Sequence, residues 1–251
     1  MPTSYYMVTY DRLLERAISN LSLSELDKVS AYNVRKDINK NISPKIKSIN
    51  EWELNWYDHR YQKYQYYEYG AIAHLSNNTE LLEESSHIGL FHYDIIFKKN
   101  SIDDIEKMFI KNPNQIFYFS YVTDNRYMYF SRDQLNKISE FLEKKLEISI
   151  DTDFIWNNGW IAEALSITPK EIFVKFGKFL SENIEEINSI LKYNKWDIMK
   201  LANHRPCGFT ERLWGIYLSS LNIPFTKLNN IIHDWDYYQH EHGNQIKNLK
   251  L

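Results

Sequence analysis

The sequence predicts one α/β domain with a mostly parallel central sheet flanked by helices. Three observations predict it: an opening strand–helix–strand unit, a later buried strand running straight into the polar His92-Tyr93-Asp94, and alternation of strands and helices towards the C-terminus. The 251 residues suffice for one generous domain, and no repeat, low-complexity tract or Gly/Pro-rich linker divides them.

Each element has its own signal. Tyr5 to Thr9 (YYMVT) is a β-rich apolar run and reads as a buried first strand. Asp11 is placed to cap the following segment, in which Leu13, Leu14, Ala17, Ile18 and Leu21 recur at helical spacing. Lys28 to Val34 reads as the second strand, and a β-α-β opening argues for parallel pairing. Residues 35–64 are polar, aromatic and irregular, and a connection that long in a compact domain is often functional. YEYGAIAHLSNNTELL reads as a helix and His87 to Phe91 (HIGLF) as a central strand. A helix over 102–111, a strand over 115–122 and a helix over 133–146 follow. Thr168, Pro169 and Glu171 carry the pattern of a capping box, so a helix is expected to start at Pro169. A helix around TERLWGIYLSSL, with Thr210 as its cap, and a short strand around PFTKL complete the order. The second half of the sheet is expected to be mixed.

Composition excludes several classes. The formal charge of -3 lacks the basic excess of a general nucleic-acid binder. The single Cys207 excludes an intramolecular disulfide and any cysteine-based zinc cluster. No segment approaches the ~18 apolar residues of a membrane span, and the N-terminus lacks a secretory pattern, so a cytoplasmic location is expected. No GxGxxG, Walker loop or GxSxG elbow is present, against dinucleotide oxidoreductases, P-loop NTPases and serine hydrolases. Nineteen tyrosines offer flat faces with polar edges, suited to stacking on sugars or bases or simply to an aromatic core.

In open α/β sheets ligands bind beyond the carboxyl ends of the strands, so His92 and Asp94 are the first candidate site residues. A carboxylate there can hold a hard cation that bridges two phosphates, or it can merely cap the next turn. Two literal Asp-x-Asp strings compete as cation ligands: Asp151/Asp153, which precedes Trp156, Asn157 and Trp160, and Asp234/Asp236 in the tail. Glu211 falls in the first turn of a late helix, where the macrodipole favours its charged form and where it can stabilise the helix or pair with Arg205 or Arg212. The tail is rich in histidine, and His233, after the apolar Ile231-Ile232, is favoured as a metal ligand over His240 and His242.

Three pieces occur in order over residues 65–218: a helix containing Glu68 (YQYYEYGAIAHL), the strand HIGLFHYDIIF, and the late helix GFTERLWGIYL. Together they resemble the capsular-polysaccharide type of nucleotide-sugar glycosyltransferase, and the element order resembles the GT-A, Rossmann-like fold. The chain departs from both patterns: His92 stands where the GT-A Asp-x-Asp has its first Asp, and Asp94 where the capsular-type motif has Arg. The resemblance implies transfer of a sugar from a nucleoside-diphosphate sugar, with UDP or GDP as the nucleotide, to a glycan or other hydroxyl acceptor. It further implies a divalent ion (Mn2+ or Mg2+) on Asp94 and His233, and Glu211 as general base. Tyr10, Asn33, Arg35, Glu68, His92, Trp156 and Asn157 would contact the donor. Residues 1–100 would form the nucleotide-binding half and 101–251 the acceptor side. The alternative is a non-catalytic carbohydrate-binding or structural protein on the same fold.

Overall fold

The computed structural model describes residues 3–9, 15–35, 45–122, 131–196 and 206–234. In chain order these form β1 (Thr3–Thr9), α1 (Glu15–Ile18), α2 (Leu23–Leu26), β2 (Val29–Asn33), β3 (Lys47–Asn50), α3 (His59–Lys63), α4 (Glu68–Asn77), β4 (His87–His92) and β5 (Ile95–Phe97). They continue with α5 (Ser101–Lys111), β6 (Ile116–Val122), α6 (Arg132–Leu146), α7 (Thr152–Asn158), β7 (Trp160–Pro169), α8 (Lys170–Lys192), α9 (Pro206–Ser220), β8 (Phe225–Lys227) and β9 (Ile231–His233).

Seven strands form one sheet in the order β3-β2-β1-β4-β7-β6-β8, while β5 and β9 pair antiparallel apart from it. β3, β2, β1 and β4 run parallel, β7 is antiparallel to β4 and β6, and β8 is parallel to β6. The expected mostly parallel sheet with a mixed second half is thus observed. Strand alternation splits the core into two layers. Tyr6 and Val8 pack with α4, α6, α8 and α9 on one face, and Tyr5 and Met7 with α1 and α5 on the other.

Several details differ from the sequence reading. Residues 47–50 form a third parallel strand inside the stretch read as irregular. Asp11 lies outside the described residues, and the described part of α1 is Glu15–Ile18. The helix expected from Pro169 begins one residue later, and Pro169 is its cap without any side-chain capping bond. Thr168 is instead in the ladder opposite Ile88, because the preceding ten residues are the antiparallel strand β7. α6 is capped by Ser131 in a capping box with Gln134. The described part of α9 already runs from Pro206, so Glu211 does not sit in its first turn. Thr210 is not a cap: its hydroxyl donates back to the Pro206 carbonyl at 2.8 Å.

Candidate active site

The strand order reverses direction at β1. β2 and β3 lie on one side and β4 on the other, and this crevice is where an open α/β sheet receives a ligand. β4 delivers His92 to the crevice, and the turn to β5 delivers Asp94. Asp94 is buried, and its carbonyl accepts the Asp234 amide at 2.7 Å, tying the turn to the end of β9. The β5–β9 ladder sets His233 opposite Ile95.

Two further elements close the cluster. The first turn of α4 places Glu68 Oε1 3.4 Å from Nε2 of His92, whose Nδ1 is 3.8 Å from Asp94 Oδ1. β7 runs back antiparallel, and counting on from the Leu90–Ser166 pair brings Glu163 beside the end of β4. The β6–β7 register shifts between Tyr118 and Ser120, and Glu163 takes a left-handed backbone (φ 65°). Such a conformation costs about 1–3 kcal/mol for a residue with a Cβ and clusters at functional sites. Glu163 Oε1 is 3.8 Å from Nε2 of His233.

α9 supplies Glu211 and locks it to β7. Its face at positions 211, 215 and 219 runs along one strand segment. Glu211 Oε1 accepts the Glu163 amide at 3.2 Å, and Ser219 Oγ accepts the Ile161 amide at 2.8 Å. Gly215, between them, has no room for a Cβ, which would press on the Ile161 carbonyl and the Trp160 ring. The missing side chain therefore lets the helix sit close enough for the carboxylate to reach.

Glu68, Asp94, Glu163 and Glu211 thus gather around His92 and His233, with Arg212 Nη1 3.4 Å from Glu211 Oε2. Burial raises the pKa of Glu68, with the Glu211 and Asp94 charges adding to it and His92 opposing. Burial likewise raises Glu211, against the pull of Arg212. For His92 burial acts to lower the pKa, but Glu68, Asp94, Glu163 and Glu211 together outweigh it, and the pKa is raised. Glu68, His92 and Glu211 therefore hold protons more tightly than the same groups in water, as general acid–base chemistry near neutral pH requires.

Asp94 Oδ1 and Glu163 Oε2 are buried and have no hydrogen-bond partner among the described residues. Carboxylate oxygens without a hydrogen bond are hard donors and fit a divalent cation such as Mg2+ or Mn2+. No group of three or more His, Cys, Asp or Glu among the described residues is arranged to hold a metal ion. The residues present would therefore suit a cation held by one or two protein side chains, a common arrangement for Mg2+.

A cavity of about 440 Å³ adjoins the cluster, bordered by Val34, Arg35, Glu51, Tyr61, Gln62, Gln65, Tyr67 and Gly70. It lies past the carboxyl ends of β2 and β3. α4 is the shared wall: Tyr67 and Gly70 face the cavity, while Glu68 between them meets His92.

Of the residues singled out from sequence, His92, Asp94, Glu68, Glu211 and His233 come together, and Arg35 lines the cavity. Asn33 is buried and engaged by the protein itself: its amide donates to Ser48, Ile49 and Asn50, and its oxygen accepts from Thr9 at 2.6 Å. Trp156 packs beneath the Arg132 guanidinium, 5.7 Å from its ring, and Asn157 is exposed on the short α7, neither of them joined to the cluster. Asp151 caps α7 and Asp153 pairs with Arg132. Asp234 is buried and paired with Arg16. Tyr10, Asp236, His240 and His242 lie outside the described residues. The sequence reading missed Glu163 and Glu51. The one signal for Glu163 was a lone charge inside the apolar run WIAEALSITP.

No protein-family model matches the chain, and no curated protein matches it in sequence. Among solved structures it is similar to WbbM, a bifunctional glycosyltransferase in its apo form, at 14% identity and TM-score 0.49, over 93% of this chain and 45% of that one. It is also similar to the mannosyltransferase Ktr4p from S. cerevisiae at 11% identity and TM-score 0.44, over 92% of this chain and 70% of that one. A third is glucosyl-3-phosphoglycerate synthase from Mycobacterium tuberculosis with Mn2+ and UDP-glucose, at 10% identity and TM-score 0.39, over 92% and 70%. The chain spans less than half the length of the first of these. With every TM-score below 0.5, these likenesses carry no statement about its activity.

Proposed function

We propose that the chain is a glycosyltransferase that moves a sugar from a nucleoside-diphosphate sugar to a hydroxyl acceptor. The observation that carries this reading is a pairing. A cavity of about 440 Å³, within the usual size range of ligand pockets, shares the first turn of α4 with a buried cluster of carboxylates and histidines. The resemblance of the Glu68, HIGLFHYD and GFTERL segments to capsular-type glycosyltransferases supports it from sequence.

In this reading the nucleoside occupies the cavity, with the half-buried Tyr67 for stacking and Arg35 towards ribose or phosphate. The diphosphate extends past Glu68 to the end of β4. Asp94 and His233 would hold a divalent ion there, which, when bound, offsets the negative charge gathering on the departing diphosphate. His92, with its raised pKa, keeps a proton close to the same oxygens. Glu211 accepts the proton of the attacking hydroxyl as its oxygen bonds to the anomeric carbon and the bond to the diphosphate breaks. Burial makes Glu211 a stronger base than a solvated carboxylate, which suits that step. Glu163 holds Glu211 in place through its amide.

Calorimetric titration with UDP and GDP, with and without Mn2+, tests the reading. Metal-dependent binding of one nucleotide is expected. Absence of binding by both, in the folded protein, would remove the donor site from the account.

A further inference from the structure

A second cavity, of about 690 Å³, opens between the end of α3, the last turns of α8 and Pro206 on α9. It is larger than the cavity assigned to the nucleoside, and Gln65 borders both. The wall between them is held firmly. Gln65 and Tyr67 both take left-handed backbones (φ 60° and 50°), each at a cost of about 1–3 kcal/mol. Between them Tyr66 is fully buried, and its hydroxyl donates to Asn188 Oδ1 on α8 at 2.8 Å. That bond ties the strained segment to α8, so the two sides of the second cavity are joined before any ligand arrives.

The accessible lining combines aromatic faces with positive charge. Tyr193 is 64% exposed and Tyr64 is half-buried. Lys63 Nζ lies 5.4 Å from the Tyr64 ring centre, and the Nζ atoms of Lys192 and Lys195 lie 5.3 and 5.9 Å from that of Tyr193. All three lysines are exposed, and none pairs with a carboxylate among the described residues. By contrast Lys28, Lys107, Lys137 and Lys145 each lie within 3.0 Å of a carboxylate oxygen. The acidic residue on the lining, Glu185, is engaged by Arg60. The cavity is thus a place of positive potential in a chain whose formal charge is -3.

We propose that this cavity is a second binding site, for an anionic saccharide whose carboxylate or phosphate groups meet Lys63 and Lys192 while its pyranose faces lie on Tyr64 and Tyr193. A pyranose ring presents a face of C–H bonds that packs on an aromatic ring, and its hydroxyls call for small polar partners, which Gln65 and Ser189 supply at the same wall. An acidic peptide would satisfy the lysines but makes no use of two tyrosine faces. The site is separate from the donor site, and its occupancy requires neither nucleotide nor metal.

The test is calorimetry of the full chain at low salt, without nucleotide or Mn2+, against hexagalacturonate, its neutral methyl ester, mannopentaose phosphate and hexaglutamate. One of the two anionic saccharides is expected to bind at least about fivefold more tightly than the ester, a difference that two exposed ion pairs can supply; whichever binds better names the anionic group. Tyr193→Ala and the double variant Lys63→Glu/Lys192→Glu alter exposed side chains, so both should fold by circular dichroism, and each is expected to weaken that saccharide by about fivefold or more. Should either variant not fold, the four ligands decide the matter on the unmodified protein. Equal binding by the ester overturns the charge selectivity, and hexaglutamate binding as tightly as the saccharides overturns the carbohydrate assignment in favour of an acidic peptide. Unchanged affinity in either folded variant, or binding by neither anionic saccharide, overturns the site. Failure of UDP and GDP to bind in a separate titration with Mn2+ would strike the donor reading and leave this inference standing.

Discussion

Replacing Gly215 with alanine is the sharpest probe of how the site is assembled. A Cβ there would stand 2.5 Å from Trp160 Cζ3 and closer still to Trp160 Cε3 and the Ile161 carbonyl, where ordinary contact begins at 3.4 Å. Relieving the ring contact needs a movement of more than about 0.9 Å, and the backbone carbonyl cannot swing aside as a flexible side chain would. Overpacking of this kind costs about 1–3 kcal/mol, against ~0.5–1 kcal/mol gained from the higher helix propensity of alanine. A net loss of up to about 2 kcal/mol lowers Tm by roughly 4–8 °C in a chain of this size. The larger effect is expected on function. Glu211 is one helical turn from Gly215, and a catalytic group displaced by about 1 Å can cost ~100-fold in rate. Differential scanning calorimetry and a sugar-transfer assay on the same preparation read both effects. A Gly215→Ala protein that melts higher, as helix propensity alone dictates, and keeps full turnover would refute the reasoning.

Other predictions concern neighbouring contacts. Ser219→Ala leaves the buried Ile161 amide without its acceptor, so a loss of about 1–3 kcal/mol is expected in urea denaturation; an unchanged midpoint would mean that the contact is not formed. The pKa of Glu211 is raised from its ordinary 4.5, so the native state binds the proton more tightly than the unfolded chain and stability falls as pH rises through this range. His92, raised above 6.5, adds a fall in the same direction: its contribution is full below 6.5 and lost as pH passes its folded pKa. Glu211→Gln should therefore show a shallower decline of Tm from pH 4.5 to 8 than the unmodified chain, and parallel curves would contradict the shift. Asp94→Ala should fold normally and lose the divalent-ion dependence of nucleotide binding; retained dependence would move the metal elsewhere.

What the sequence showed and what it hid follow from the same physics. β1, β2 and β4 were legible because a strand covered on both faces is a nearly continuous apolar run. β3 was not, since in KSIN only Ile49 is buried. β7 was obscured by Thr168-Pro169-x-Glu171, a sound capping pattern overridden by ladder pairing with β4. Helix is already present from Pro206, but Thr210 offered a competing cap and shifted the expected place of Glu211 along α9. The strand-end rule found His92 and Asp94, whereas Glu163 depends on a bulge and a left-handed residue that no local pattern encodes. Glu51 was hidden for a similar reason: His74, whose Nδ1 lies 3.3 Å from its carboxylate, is distant in sequence.

The central claim is that the cluster and the adjoining cavity form one donor site, and turnover of the donor tests it most directly. Release of nucleoside diphosphate should be followed from UDP- and GDP-sugars with Mn2+ and a hydroxyl acceptor, in the unmodified chain and in Glu211→Gln. The account predicts metal-dependent release from one donor class, abolished in Glu211→Gln while nucleotide binding persists. Equal release by the two proteins, or none from any donor that binds, would contradict it.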